Sequence, residues 1–135
     1  MKLKLFSGID LPGFTAPVFF GVALAATATV IFESLMPTGP SASIGDFDKI
    51  MHFVSYFTLA GLWALAFRGR SLITIVAALA VMGIGLEIAQ QMMNLGRTGS
   101  IWDALANFAG CVLAAFIMNA LTETKSRDAG AAQKA

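Results

Sequence analysis

Asp48, His52 and Tyr56 recur every fourth residue in this 135-residue chain, the spacing that places side chains on one face of a helix. A carboxylate, an imidazole and a phenol in one stripe can exchange protons or hydrogen-bond a polar group. Further polar residues follow within otherwise apolar stretches: Lys49 beside the stripe, Glu87 and Gln90 at helical spacing, then Arg97, Ser100, Asp103 and Asn107. Polar groups are costly in such surroundings, and ionisable ones are functional-site candidates by default.

The elements that position these residues follow from composition. With 57% hydrophobic and 13% charged residues and a mean hydropathy of +0.76, the chain departs from soluble domains, in which about 25% of residues are charged. It reads as a membrane protein. A hydrocarbon core of about 30 Å needs roughly 20 helical residues, and four apolar runs reach that length. They extend from Phe14 to Leu35, closed by Pro37, Gly39 and Pro40, from Asp48 to Phe67, from Ser71 to Leu95 and from Ser100 to Leu121. None alternates as a membrane β-strand would. The expected fold is all-α, a polytopic four-transmembrane-helix bundle with antiparallel neighbours. Residues 1–13 form an N-terminal segment, 14–121 the membrane domain and 122–135 a polar tail.

Basic residues orient the bundle. Lys2, Lys4, Arg68, Arg70, Lys125, Arg127 and Lys134 fall on one side, and Lys49 and Arg97 on the other. The excess marks the cytoplasmic face, so both termini are expected to be cytoplasmic and the protein a multi-pass component of the bacterial cytoplasmic (inner) membrane. Basic residues, an apolar run and small residues from Ala23 to Ala28 also fit a signal peptide. Asp10 and Pro12 interrupt that pattern, however, and the run continues to Leu35, favouring a first span. The net charge of +1 and the scattered basic residues predict no nucleic-acid partner. Cys111 is the single cysteine and is expected to be a buried structural thiol. Ala60 with Ala64, and Ala106, Gly110 and Ala114, have the spacing that lets helices approach closely. Trp63 and Trp102 read as interface anchors.

Helical rise then sets depth. Asp48, His52 and Tyr56 descend by roughly 6 Å each, while Glu87 lies roughly 12 Å below the exit near Gly96 and Asn107 roughly 10 Å below Ser100. Tyr56, Glu87 and Asn107 are thus expected at one depth, with the second, third and fourth helices building one inward polar cluster. Ser100 and Asp103 fit a capping box, in which Asp103 would support the helix start by about 1 kcal/mol. Glu87, far from both helix ends, must be paired, protonated or open to a water-filled cavity.

The ordered set Asp48-Lys49-x-x-His52-x-x-x-Tyr56-x-x-Leu59, Glu87-x-x-Gln90 and Gly96-Arg97-x-x-Ser100-x-x-Asp103-x-x-x-Asn107-x-x-Gly110 resembles the VanZ-like membrane proteins over residues 46–115. Gln91-Met92-Met93-Asn94-Leu95 lacks the proline often found there before the Gly-Arg pair. The resemblance implies a small polytopic bacterial membrane protein with an envelope-related role. In relatives it implies a link to resistance to the glycopeptide teicoplanin.

The outer mouth collects Glu33, Asp46, Asp48, Glu87 and Asp103 against Lys49 and Arg97. One reading is a binding site for an envelope lipid or lipid-linked precursor. Arg97 and Lys49 would hold a phosphate or carboxylate, and His52, Tyr56, Gln90 and Asn107 would bond the head group. A second is a membrane enzyme with His52 or Glu87 as general base and Asp103 or Asp48 orienting the histidine. A third is a transporter, for which a monomer lacks polar lining in its cytoplasmic half. A fourth treats the ring as structural pairing alone. Asp48, His52, Glu87 and Asp103 are metal-ligating types, but their spacing matches no standard motif. Neither metal nor cofactor is expected on that basis.

Overall fold

The computed structural model describes residues 15–37, 45–67, 70–93 and 99–132, excepting the side chains of 45–46 and 124–132. Four helices account for nearly all of them: α1 (Thr15–Leu35), α2 (Gly45–Ala66), α3 (Leu72–Met93) and α4 (Ile101–Ala132). All four contain stretches long and apolar enough to cross a membrane, and no strand occurs among the described residues. The expected all-α bundle is therefore what forms. Residues 1–14 lie outside the described part.

Local sequence sets the helix ends. Pro17 lies in the first turn of α1, where a missing amide hydrogen costs no intrahelical bond. The end of α1 is followed two residues later by Pro37. At the other end of the chain the polar tail expected over 122–135 does not leave the helix, which continues to Ala132. Glu123, Lys125, Arg127 and several alanines are good helix formers, and no proline stops them.

Helix α2 is central. It packs against α1, α3 and α4, and its longest contact is with α4. The reason is small residues: Ala60 and Ala64 of α2, with Gly110, Cys111 and Ala114 of α4, are buried. A methyl group on Gly110 would collide with the Phe53 carbonyl oxygen and stand 2.9 Å from the Phe57 nitrogen. The two backbones thus meet almost directly. Leu59 of α2 and Leu72, Ile75 and Leu79 of α3 extend the same core. Cys111 is fully buried with its Sγ 3.8 Å from the Tyr56 carbonyl oxygen, in keeping with a structural thiol.

Trp63 ties the outer helix α1 to this core. Its Nε1 donates to Thr27 Oγ1 at 3.0 Å, and the Thr27 hydroxyl donates to the Ala23 carbonyl at 2.7 Å. The indole also stacks on Phe67 and meets Phe20 edge-on, so it is an interhelical strut as well as the aromatic residue expected near the helix end. Trp102, by contrast, is exposed at the start of α4, as an interface anchor should be. Elsewhere the exterior is apolar: Ile73, Val81 and Phe116 are at least two-thirds exposed. In water such a surface would drive aggregation. Against lipid tails it is the solvated face.

Substituting Gly110→Val should lower the thermal unfolding midpoint in detergent, because overpacking a close contact costs about 1–3 kcal/mol. Gly85→Ala, at a position with nothing within 4 Å of the added methyl, should leave the midpoint unchanged or raise it slightly. Equal midpoints for Gly110→Val and wild type would contradict the close α2–α4 crossing.

Candidate polar site at one end of the bundle

The start of α2, the end of α3 and the start of α4 bring the polar residues to one end of the bundle. Glu87 is buried on α3 about 9 Å from the helix end at Met93. Its Oε2 accepts the Ser100 amide hydrogen at 2.8 Å. A methyl group on Gly99 would collide with the Glu87 carbonyl oxygen, so the chain entering α4 lies directly against α3. Only glycine permits that approach.

This contact rearranges the expected capping box. Ser100 is the N-cap of α4, with its Oγ accepting the Trp102 amide at 3.2 Å. In a full box the carboxylate three residues on would return to the Ser100 amide. Here Glu87 of another helix occupies that amide. Asp103 is buried, at 8% exposure, and among the described residues its carboxylate makes no hydrogen bond. The cap is thus shared between helices, and Asp103 is released from it.

His52 links the three helices. Its Nδ1 donates to Asn107 Oδ1 at 3.1 Å, with Glu87 Oε1 3.9 Å from the same nitrogen. On the other edge of the ring, Nε2 stands 3.9 Å from Asp48 Oδ1 one turn earlier on α2. The Tyr56 hydroxyl reaches Gly83 beside the Asn107 amide, and it is buried without a hydrogen-bond partner among the described residues. Gly83 lies one turn further from the loop than Glu87. Asn107 therefore bridges the cluster, its Oδ1 at His52 beside Glu87 and its amide nitrogen beside Gly83 with the Tyr56 hydroxyl. Lys49 is half-buried beside the Asp48 stripe. Arg97 lies outside the described residues.

Helix α1 also takes part, although the polar pattern assigns the cluster to the other three helices. Gln90 is buried, and its Nε2 donates to the Ser34 carbonyl oxygen at 2.9 Å. A groove of about 220 Å³ runs beside this tie, with Asp48, His52 and Tyr56 on the α2 side and Val30, Glu33 and Ser34 on the α1 side. The signal available in the sequence was Glu33-Ser34 at the matching end of the first span. A larger cavity of about 450 Å³ lies towards the opposite end, walled by Trp63, Phe67, Leu79 and Met82 with Arg70 at its rim. Its lining is mainly apolar, and the convergent polar groups are all at the first site.

A sequence model of the family described as VanZ/LLP1 matches residues 10–122. The matched stretch begins before α1, ends in α4 and contains every residue of the polar cluster. No curated protein and no solved structure matches the chain.

If Glu87 supports α4, removing its acceptor should destabilise the bundle. A hydrogen bond to a charged group contributes about 1.5–3 kcal/mol, so Glu87→Ala should lower the unfolding midpoint clearly more than Glu87→Gln, which retains an acceptor. Asp103→Asn should change it least. Asp103→Asn as damaging as Glu87→Ala would show that Asp103 carries the cap.

Proposed function

The chain belongs to the VanZ/LLP1 family, and we propose that its polar site binds the head group of an envelope lipid or lipid-linked precursor. The observation that carries this reading is the groove between α1 and α2. Asp48, His52 and Ser55 offer donors and acceptors there, while Val30, Phe47 and Met51 supply apolar wall. Phe47 and Met51 are exposed on the outside of the bundle, so polar lining passes directly into lipid-facing surface. An amphiphile can then place its head against α2 while its chains remain among the lipids, without crossing a polar barrier.

The four membrane-spanning helices make the protein multi-pass. The bias of Lys and Arg supports a bacterial cytoplasmic-membrane location with both termini inside, which directs the groove to the outer leaflet. Exported envelope intermediates occur there. The glycopeptide link implied for VanZ-like relatives is consistent with such a ligand.

Binding is favoured over acid–base catalysis by the distances around His52. Its short contact is to the Asn107 amide, whereas Asp48 and Glu87 are each 3.9 Å away, longer than the hydrogen bond through which a carboxylate orients a catalytic histidine. Gln90, one of the expected head-group contacts, instead holds the chain at Ser34, as Glu87 holds it at Ser100. The binding surface is accordingly narrower than the whole polar set.

Purification in a mild detergent followed by lipid mass spectrometry should find one polar lipid class enriched on the wild type over the bulk membrane. Val30→Trp, which fills the groove, should deplete it severalfold. Val81→Trp, on an exposed part of α3, should retain it. The same lipid profile for all three proteins would refute the proposal.

A further inference from the structure

We propose that Asp48, His52 and Asp103 together bind one divalent transition-metal ion of the zinc or manganese class. One ligand-competent atom from each lies within 4.8 Å of the other two. Two donors about 2.1 Å from a shared ion stand about 3.0–4.2 Å apart, depending on the angle between them. The 3.9 Å from His52 Nε2 to Asp48 Oδ1 is within that range, and the Asp103 carboxylate stands within 4.8 Å of both residues' ligand atoms.

The histidine is prepared for this role by Asn107. An amide oxygen only accepts, so the 3.1 Å contact assigns the ring hydrogen to Nδ1. With a ring hydrogen on Nδ1, Nε2 is the nitrogen left to bind a metal, and it stands 3.9 Å from Asp48 Oδ1. Metal-bound histidines are commonly fixed in this way, with the distal nitrogen donating to a carbonyl or carboxylate that sets the tautomer.

Asp103 provides a second, independent observation. It is more than nine-tenths buried, and its carboxylate makes no hydrogen bond or ion pair among the described residues. The cap that would have employed it is occupied by Glu87. Two carboxylates beside an imidazole are stabilised by a shared positive charge. An ion held by all three supplies it.

One imidazole with two carboxylates suits zinc or manganese better than the all-oxygen shells preferred by calcium and magnesium. Three protein ligands leave a coordination position open. Asp48 and His52 also line the α1–α2 groove, where that position would accept water or an anionic oxygen. No sequence motif announces the site because Asp103 joins from α4, fifty-one residues after His52. The proposal does not rest on lipid binding, since it concerns the metal alone.

The test is titration of chelator-stripped, detergent-solubilised full-length protein with Mn²⁺, following free ion by electron paramagnetic resonance and displacing bound ion with Zn²⁺. Wild type should take up one ion per chain. Asp103→Asn and His52→Gln should each weaken uptake at least tenfold, whereas Glu123→Gln, on an exposed part of α4, should leave it intact. Thermal scans of the same preparations show that the variants are folded. If a ligand variant fails to fold, protection of wild-type His52 from diethyl pyrocarbonate by Mn²⁺ supplies the second readout. Absence of a stoichiometric ion on wild type, uptake unchanged in both folded ligand variants, or no protection of His52 would overturn the proposal.

Discussion

A carboxylate buried on a membrane helix has to be satisfied, and Glu87 meets that requirement at the amide hydrogen that begins another helix. The 2.8 Å contact with Ser100 pins the entry of α4 against α3. It thereby fixes the direction in which α4 leaves, and that direction delivers Asn107 to His52 and Gly110 to the backbone of α2. The constraint is strong because the Glu87 side chain is only 9% exposed, and a buried carboxylate without hydrogen bonds is costly. Gly99 and Gly110 are the two places where the chain gives up a side chain to permit the approach.

From this contact the polar residues separate into two groups with different work. Glu87, Gln90 and Asn107 connect helices: α3 to the start of α4, α3 to the end of α1, and α4 to α2. Asp48, His52 and Asp103 are brought together by those connections. Tyr56 packs its hydroxyl beside Gly83. The same residues therefore serve the fold and the site, with the first group positioning the second.

Much of the architecture was legible because lipid imposes length. Apolar runs of about 20 residues, interrupted by Pro37 and by Arg68-Gly69-Arg70, marked four spans whose observed helix boundaries, apart from the C-terminal end of α4, differ by a few residues. The small residues at 60, 64, 110 and 114 likewise identified the faces that meet. Helical periodicity tells which face a side chain occupies, but not which of several nearby partners it selects. Asp103 fits the local capping box as well as any residue could, and only tertiary approach shows Glu87 in its place. The contribution of α1 was legible only as Glu33-Ser34 at the matching end of the first span. Gln90 bonds to a backbone carbonyl at Ser34, and a main-chain acceptor leaves no trace in residue type. Similarly, the polar tail was recognised by composition, although its helix-forming residues keep it helical to Ala132.

Amide hydrogen exchange at Ser100 tests the shared cap most directly. A helix N-cap amide normally exchanges rapidly, since no intrahelical acceptor covers it, whereas one donating to a buried carboxylate should be protected. The account predicts protection at Ser100 that is lost in Glu87→Ala and kept in Asp103→Asn, with the middle of α4 protected in both. Protection that survives Glu87→Ala and disappears in Asp103→Asn would return the cap to α4 itself and contradict the account.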